Sequence, residues 1–364
     1  MDFRQYAPSR RRAGPDRARS DRTRARRSRS LRAGTLFATL ATAAFVLAPA
    51  GAAAAPTIIA TLQKSTAVEA YGDVAVWSEY AATDRAWHIV VRRGGQISTL
   101  ANPTGTKAIE VDVGPDSHGT PTLAYISCTG GCHVVVSAVD GSDAQTVPGS
   151  AGASHPTISG EHVAWVSGNA KVLISRLNGS QRRTLPGAPR RKCYYDSEQE
   201  PGPLKCAAPK KPNVEALQLS GRQLALVDTF VLDDNVGAVG TTTEVRTESI
   251  SGGAQRLVAL LGVGEGDESW LGLSWSSGKL YFYEDTFGAG YFVYRFDPAS
   301  GAYEKAPAYD YLTGFSVVAG RAYEATAPGD PSSGGVCGEE SIPCVVRLTE
   351  PLVLKRAKAP VHVP

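Results

Sequence analysis

Short apolar runs alternate with Gly-, Asn- or Asp-containing turns along most of the chain. Residues 155–187, HPTISGEHVAWVSGNAKVLISRLNGSQRRTLPG, parse as strand, glycine turn, apolar strand, turn, apolar strand, Asn-Gly turn and short strand. The same unit returns with its first turn marked by Gly72, Gly119, Gly160, Gly221, Gly278 and Gly320, at intervals of 47, 41, 61, 57 and 42 residues. A later turn recurs at Arg93-Gly94-Gly95, Asp140-Gly141-Ser142, Asn178-Gly179-Ser180, Ser251-Gly252-Gly253 and Ala299-Ser300-Gly301. The sixth unit has Glu350-Pro351 there, a departure expected of a terminal repeat. No long apolar pattern of period 3.6 interrupts the series, so helices are expected to be scarce.

Four short strands per unit at this period predict an all-β protein: a six-bladed β-propeller of four-stranded antiparallel blades. The inner strands read as apolar nearly throughout, as expected where both faces of a blade are buried. A two-sheet sandwich is the structural alternative, but it would show clean alternation and no such repeat. The extra run 57–62, TIIATL, precedes the first unit and is expected to pair with the last blade, closing the ring and removing exposed strand edges.

The repeat resembles that of TolB-like propellers with PD40-type repeats. There a Pro and an apolar strand lead into a Ser-Pro-Asp-Gly turn, two more strands, and an Asp-Gly-Ser turn. The match is clearest over 156–185, through Pro156, Ser159-Gly160, Val163-Ala164-Trp165, Asn178-Gly179-Ser180 and Thr184-Leu185; Asp140-Gly141-Ser142 adds to it in the second unit. The full Ser-Pro-Asp-Gly turn is absent, Gly114-Pro115-Asp116-Ser117 being the nearest. The resemblance runs over 64–356 as a repeat pattern and implies an exported six-bladed propeller. It does not extend to the helical N-terminal domain of TolB.

Charge separates the chain into two parts. Residues 1–32 hold 12 Arg and 3 Asp, no charged residue lies between 33 and 63, and the remainder carries 26 basic and 32 acidic residues, a net of −6. The pI near 8.5 therefore belongs to the leader. The body lacks the basic surplus that phosphate neutralisation needs, which argues against nucleic-acid binding. Residues 1–55 are read as an export signal with a long Arg-rich n-region: an apolar stretch ends at Leu47, Pro49 follows, and small residues from Ala50 to Ala55 offer cleavage sites. A Sec-type signal is expected, with a twin-arginine signal as the alternative, and the protein is placed outside the cytoplasm. Membrane contact is expected only through this leader if it stays uncleaved. The rest, 56–364, is read as one propeller domain with an insertion at 188–212 in blade 4.

Six cysteines fall in three near pairs, Cys128 with Cys132, Cys193 with Cys206 and Cys337 with Cys344, and local disulfides are expected in an exported protein. No metal site is expected from their spacing or from the histidines, and no cofactor from the motifs. G-x-S-x-G, H-E-x-x-H and the Walker loop are all missing. Ser276-Ser277-Gly278-Lys279 matches S-x-x-K but reads as a hairpin turn; Gly262-Val263-Gly264-Glu265-Gly266 reads as an inter-blade loop, and Asp233-Asp234-Asn235 as a solvated turn.

Two function classes stay open. One is an exported non-catalytic propeller that binds a protein, small-molecule or carbohydrate partner, or serves as a scaffold. The other is a propeller enzyme, a hydrolase or lyase on carbohydrate or a similar substrate, with its site at the central channel mouth. The absence of a catalytic motif favours the first. In either class the candidate residues are those read as lying just before the innermost strands, His155, Glu215, Glu268, Trp270, Asp310 and Tyr311, together with Tyr194 and Tyr195 of the insertion. Trp and Tyr offer large contact area, and the carboxylates suit a cationic or hydroxyl-bearing partner. A monomer is expected.

Overall fold

The computed structural model describes residues 56–168, 170–185, 192–195, 204–207, 210–233, 239–261, 269–286, 290–307, 312–326 and 344–362. The proposed export signal lies outside them. All described regular elements are β-strands.

Strand β1 (Thr57–Leu62) precedes the first blade. Blade 1 comprises β2 (Val68–Tyr71), β3 (Val74–Ala81), β4 (Ala86–Arg93) and β5 (Gln96–Gly105). Blade 2 comprises β6 (Val111–Pro115), β7 (Pro121–Ser127), β8 (His133–Ala138) and β9 (Gln145–Thr146), and blade 3 comprises β10 (Ala153–Ser159), β11 (His162–Ser167), β12 (Lys171–Arg176) and β13 (Arg183–Leu185). A separate hairpin follows, β14 (Lys192–Tyr195) with β15 (Leu204–Ala207). Blade 4 comprises β16 (Lys210–Ser220), β17 (Gln223–Asp233), β18 (Val239–Ser249) and β19 (Arg256–Leu261). Blade 5 comprises β20 (Ser269–Ser276), β21 (Lys279–Thr286), β22 (Gly290–Phe296) and β23 (Tyr303–Pro307). Blade 6 takes β24 (Leu312–Val318), β25 (Arg321–Thr326) and β26 (Cys344–Pro351) from the end of the chain and β1 from its beginning. β1 pairs antiparallel with β26, with Leu62 opposite Cys344, so the ring closes as the apolar run at 57–62 led us to expect.

Apolar residues on both faces of each blade build six inter-blade cores in sequence around the ring. Val76 and Val91 of blade 1 meet Leu123 and Tyr125 of blade 2. Trp165 of blade 3 packs on Ala124 and Val134 of blade 2. Ile174 of blade 3 meets Leu226 of blade 4, Val245 of blade 4 shares a core with Phe282 of blade 5, and Tyr283 of blade 5 with Phe315 of blade 6. Trp77 of blade 1 and Val346 of blade 6 complete the circle. Trp77 and Trp165 are both fully buried.

Two features depart from the expected four-stranded blades. After β26 the chain turns back along the ring: β27 (Lys355–Ala357) pairs antiparallel with β23 of blade 5, and β28 (Val361–His362) pairs parallel with β19 of blade 4. The tail thus covers two outer edges that would otherwise present unpaired backbone. The insertion also divides differently. Its hairpin stands between blades 3 and 4, and Lys210 already belongs to the innermost strand of blade 4.

A disulfide joins Cys128 to Cys132 across the β7–β8 connection. Cys193 and Cys206 stand opposite each other in the β14–β15 hairpin. Cys344 is disulfide-bonded, and its expected partner Cys337 lies outside the described residues. Ser277 and Gly278 both have positive φ in the β20–β21 turn, so the S-x-x-K match is the hairpin turn it was read as. Residues 262–268, which hold the glycine-rich motif, and Asp234-Asn235 of the acidic motif lie outside the described residues, whereas Asp233 ends β17.

Candidate functional site

The innermost strands do not simply continue the apolar pattern. At one register level each carries a polar residue: Glu69, Asp112, Thr157, Gln218, Ser274 and Ser316. Their partners on the second strands are Val76, Ala124, Ala164, Ala225, Tyr281 and Tyr323. The expectation of apolar inner strands is corrected at this level, and the reason is backbone satisfaction. Innermost strands of adjacent blades share no hydrogen-bond ladder, so an N–H aimed at the neighbouring blade needs a side-chain acceptor.

Four members of the ring accept the N–H that follows the ring residue of the next blade. Asp112 Oδ2 accepts from Ile158 N at 2.8 Å, Thr157 Oγ1 from Leu219 N at 2.9 Å, Ser274 Oγ from Val317 N at 2.8 Å, and Ser316 Oγ from Ala70 N at 2.9 Å. Gln218 is the hub. Its Oε1 accepts from Thr157 Oγ1 at 2.8 Å, and its Nε2 lies 3.0 Å from Glu69 Oε2 and 3.4 Å from Asp112 Oδ1.

Above this ring a cavity of about 320 Å³ opens at the entry end of the innermost strands, drawing residues from all six blades. Its floor includes Glu69 and Asp112, and its wall Glu110, His155, Glu215, Leu217, Leu273, Thr313 and Phe315. Four of the six inner strands carry a β-bulge at this level, each adding one residue relative to its partner strand. The shifts fall between Ser154 and Thr157, Val214 and Ala216, Leu271 and Leu273, and Leu312 and Gly314. Bulges re-aim side chains; here they insert Glu215, Gly272 and Thr313, and fall at His155-Pro156 in blade 3. His155 sits at a positive φ of 47°, and its N–H donates to Glu110 Oε2. Glu215 Oε1 accepts from Asn213 Nδ2 at 2.6 Å and Thr229 Oγ1 at 3.0 Å.

The electrostatics are one-sided. Four carboxylates and a histidine line the cavity, with no Lys or Arg among its described lining residues. Burial pushes the Glu69 carboxyl well above the ordinary range and the Asp112 charge pushes it further, while hydrogen bonds from Ser316 and Gln218 act the other way. Burial also raises Asp112, against hydrogen bonds from Ile158 N, Thr157, Gln218 and Val113 N. Asp112 is 4% exposed with both oxygens engaged, whereas Glu69 is half-buried and faces the cavity. Asp112 therefore acts as an inter-blade clamp, and Glu69, Glu110 and Glu215 are the carboxylates a ligand would meet.

Of the candidates read from the sequence, His155 and Glu215 come together in this cavity, at bulges within the innermost strands rather than just before them. Trp270 is the second residue of β20, opposite Glu284 and two residues ahead of Gly272. Glu268, Asp310 and Tyr311 lie outside the described residues. Tyr194 and Tyr195 lie in β14, opposite Lys205 and Leu204. Sequence reading missed Glu69, Glu110 and Asp112, which are embedded among apolar residues of β2 and at the start of β6. A signal existed: Glu69, Thr157 and Gln218 each stand three residues before a marker glycine, and Ser274 and Ser316 four before.

No family model matches the chain, and no curated protein matches it. Among solved structures the chain is similar to TolB from Acinetobacter baumannii, at 12% identity over 79% of this chain and 68% of that one, with a TM-score of 0.43. It is also similar to an α-L-arabinanase from Penicillium chrysogenum complexed with arabinobiose, at 9% identity over 82% and 99%, with a TM-score of 0.49. An α-L-arabinofuranosidase from Fusarium graminearum in complex with an iminosugar inhibitor matches at 10% identity over 82% and 98%, with a TM-score of 0.46. The fold itself rests on the strand pairing: the chain forms a six-bladed β-propeller closed by its own N-terminal strand.

Proposed function

We propose that the protein is an exported, non-catalytic binding module that receives a cationic or hydroxyl-bearing group of its partner in the channel mouth. The observation that carries this reading is the lining: Glu69, Glu110, Asp112 and Glu215, with no Lys or Arg among its described lining residues. An ammonium or guanidinium would find several acceptors there, in a partly desolvated site where charge-assisted hydrogen bonds are stronger than in water. Export is supported by the Arg-rich leader with its apolar stretch and by the disulfides, which persist in oxidising compartments.

The test is calorimetric titration of the full-length chain with agmatine, cadaverine and neutral diols of matched length. Binding of the cations that weakens in Glu110→Gln and Glu215→Gln supports the reading. Equal binding of diols and cations, or no change in either variant, overturns the charge-based part of it.

One observation favours the enzyme reading. Glu69, held towards its protonated form, faces the same cavity as Glu110 and Glu215, a pairing that suits general-acid chemistry on a glycosidic bond. Release of nitrophenol from aryl glycosides that is abolished by Glu69→Gln would establish it in place of the binding reading.

A further inference from the structure

At the end of the blades opposite the mouth, the face of blade 3 that packs on blade 4 changes character. Along most of its length it is apolar, with Ile174 and Leu185 meeting Leu224 and Leu226. At its end the same face carries His162, Arg176 and Arg183. His162 stands directly opposite Arg176, and Arg183 opposite Ile174, two residues from Arg176, so all three project from one side of the sheet. Blade 4 adds Arg222 from the β16–β17 turn and Ser251 from the β18–β19 turn, with Arg222 Nη2 donating to Ser251 Oγ at 2.6 Å.

His162, Gln181, Arg183, Arg222 and Ser251 line an inter-blade cleft of about 360 Å³ that has no carboxylate in its described lining. Arg176 is occupied by Glu161 at 3.4 Å, while neither Arg183 nor Arg222 makes an ion pair among the described residues. Two guanidinium groups therefore share a cleft whose described lining holds no carboxylate, on a body that is acidic overall; the neighbouring carboxylates are Glu161, paired with Arg176, and Glu248, whose charge Arg183 and Arg246 both favour. Burial lowers the His162 pKa, Glu161 opposes this, and Arg176, Arg183 and Arg222 lower it further, so the ring registers the local positive field.

We propose that this cleft binds a phosphate- or sulfate-class oxyanion through Arg183 and Arg222, with His162 and Ser251 supplying further hydrogen bonds. The guanidinium fork matches the oxygens of a tetrahedral oxyanion, and a multiply charged ion compensates both arginines at once. The cleft is roomy enough for more than one tetrahedral group, so the oxyanion is either free in solution or carried on an anionic polymer. This site is independent of the reading of the channel mouth.

The His162 ring signals in the full-length chain, assigned by their loss in His162→Gln, report the cleft and not the Arg-rich leader. Inorganic phosphate, pyrophosphate and long-chain polyphosphate are titrated at constant ionic strength, with sodium chloride as the control. Pyrophosphate is expected to move the His162 signals saturably; Arg183→Gln and Arg222→Gln should each weaken binding about tenfold, the scale of one lost charged hydrogen bond. Arg183→Lys, which keeps the charge but not the fork, should fall between. Saturable shifts with phosphate or pyrophosphate support a free ion; shifts with polyphosphate alone support a polymer. Unmoved His162 signals with all three anions, an equal response to chloride, or an undiminished response in the Arg183→Gln/Arg222→Gln double variant would overturn the proposal. Both arginines are exposed, so an unchanged melting temperature confirms that the variants fold.

Discussion

Gln218 of blade 4 donates its side-chain amide to the Glu69 carboxylate of blade 1 at 3.0 Å, across the axis of the ring. Blades 1 and 4 are opposite members of the six, so this single side chain spans the channel and floors the cavity above it. The polar ring thus does two things: it satisfies backbone groups between blades, and it sets a half-buried acid beneath the mouth.

Glu69 should make stability depend on pH. The folded protein holds its proton more tightly than the unfolded chain does, because burial and Asp112 raise the folded pKa. Its contribution is therefore fully present below the ordinary glutamate range and is lost as pH rises through the raised folded value. Glu69→Gln should melt a few degrees higher than the parent near pH 8, the scale of about 1 kcal/mol in a domain of this size, with the difference vanishing near pH 4. A constant offset across that range in calorimetric scans would show that Glu69 titrates normally.

Thr157 tests the stitching. Its hydroxyl accepts from Leu219 N and donates to Gln218 Oε1, all in a fully buried position. Thr157→Val keeps the volume but strands both partners, so a loss of about 1–3 kcal/mol is expected in urea unfolding. Thr157→Ser should lose much less.

Ring closure should govern overall stability. Removing residues 57–62 uncovers the β26 edge and deletes Leu62, which is 4% exposed in the core between blades 6 and 1. The truncated chain should aggregate or melt far below the parent. Leu62→Ala, the milder change, should cost about 2–5 kcal/mol. Unaltered melting of the truncated protein would mean that the ring holds without its clasp.

Gly314 marks a close approach of blades 6 and 1. A Cβ there would sit 2.5 Å from Ala67 Cα and from Val68 N, both backbone atoms that no side-chain rotation can move away. Gly314→Ala should therefore destabilise by about 1–3 kcal/mol, the usual cost of overpacking, and by more if the two blades must part. Thermal melts of this variant beside Thr313→Ala separate the clash from any general sensitivity of the strand.

How much was legible in the sequence differs by level. Turn glycines and apolar runs predicted strands, blades, their number and even the closing partner of the first strand, because turn geometry and blade burial are local demands that repeat with the chain. His155 and Glu215 were found because they were read as the approach to inner strands, although bulges carry both inside those strands. The ring of Glu69, Asp112, Thr157, Gln218, Ser274 and Ser316 was not, although all but Asp112 stand three or four residues before a turn glycine, because the need for a polar side chain there arises only when a neighbouring blade presents an unpaired N–H. The bulges at the mouth, the reach of Gln218 to a residue 149 positions away, and the return of the tail onto blades 5 and 4 are likewise products of assembly. Local pattern determined what each blade is; the closed ring decided which polar groups meet at its axis and which arginines line one cleft between its blades, since those distances exist only once the six blades are packed.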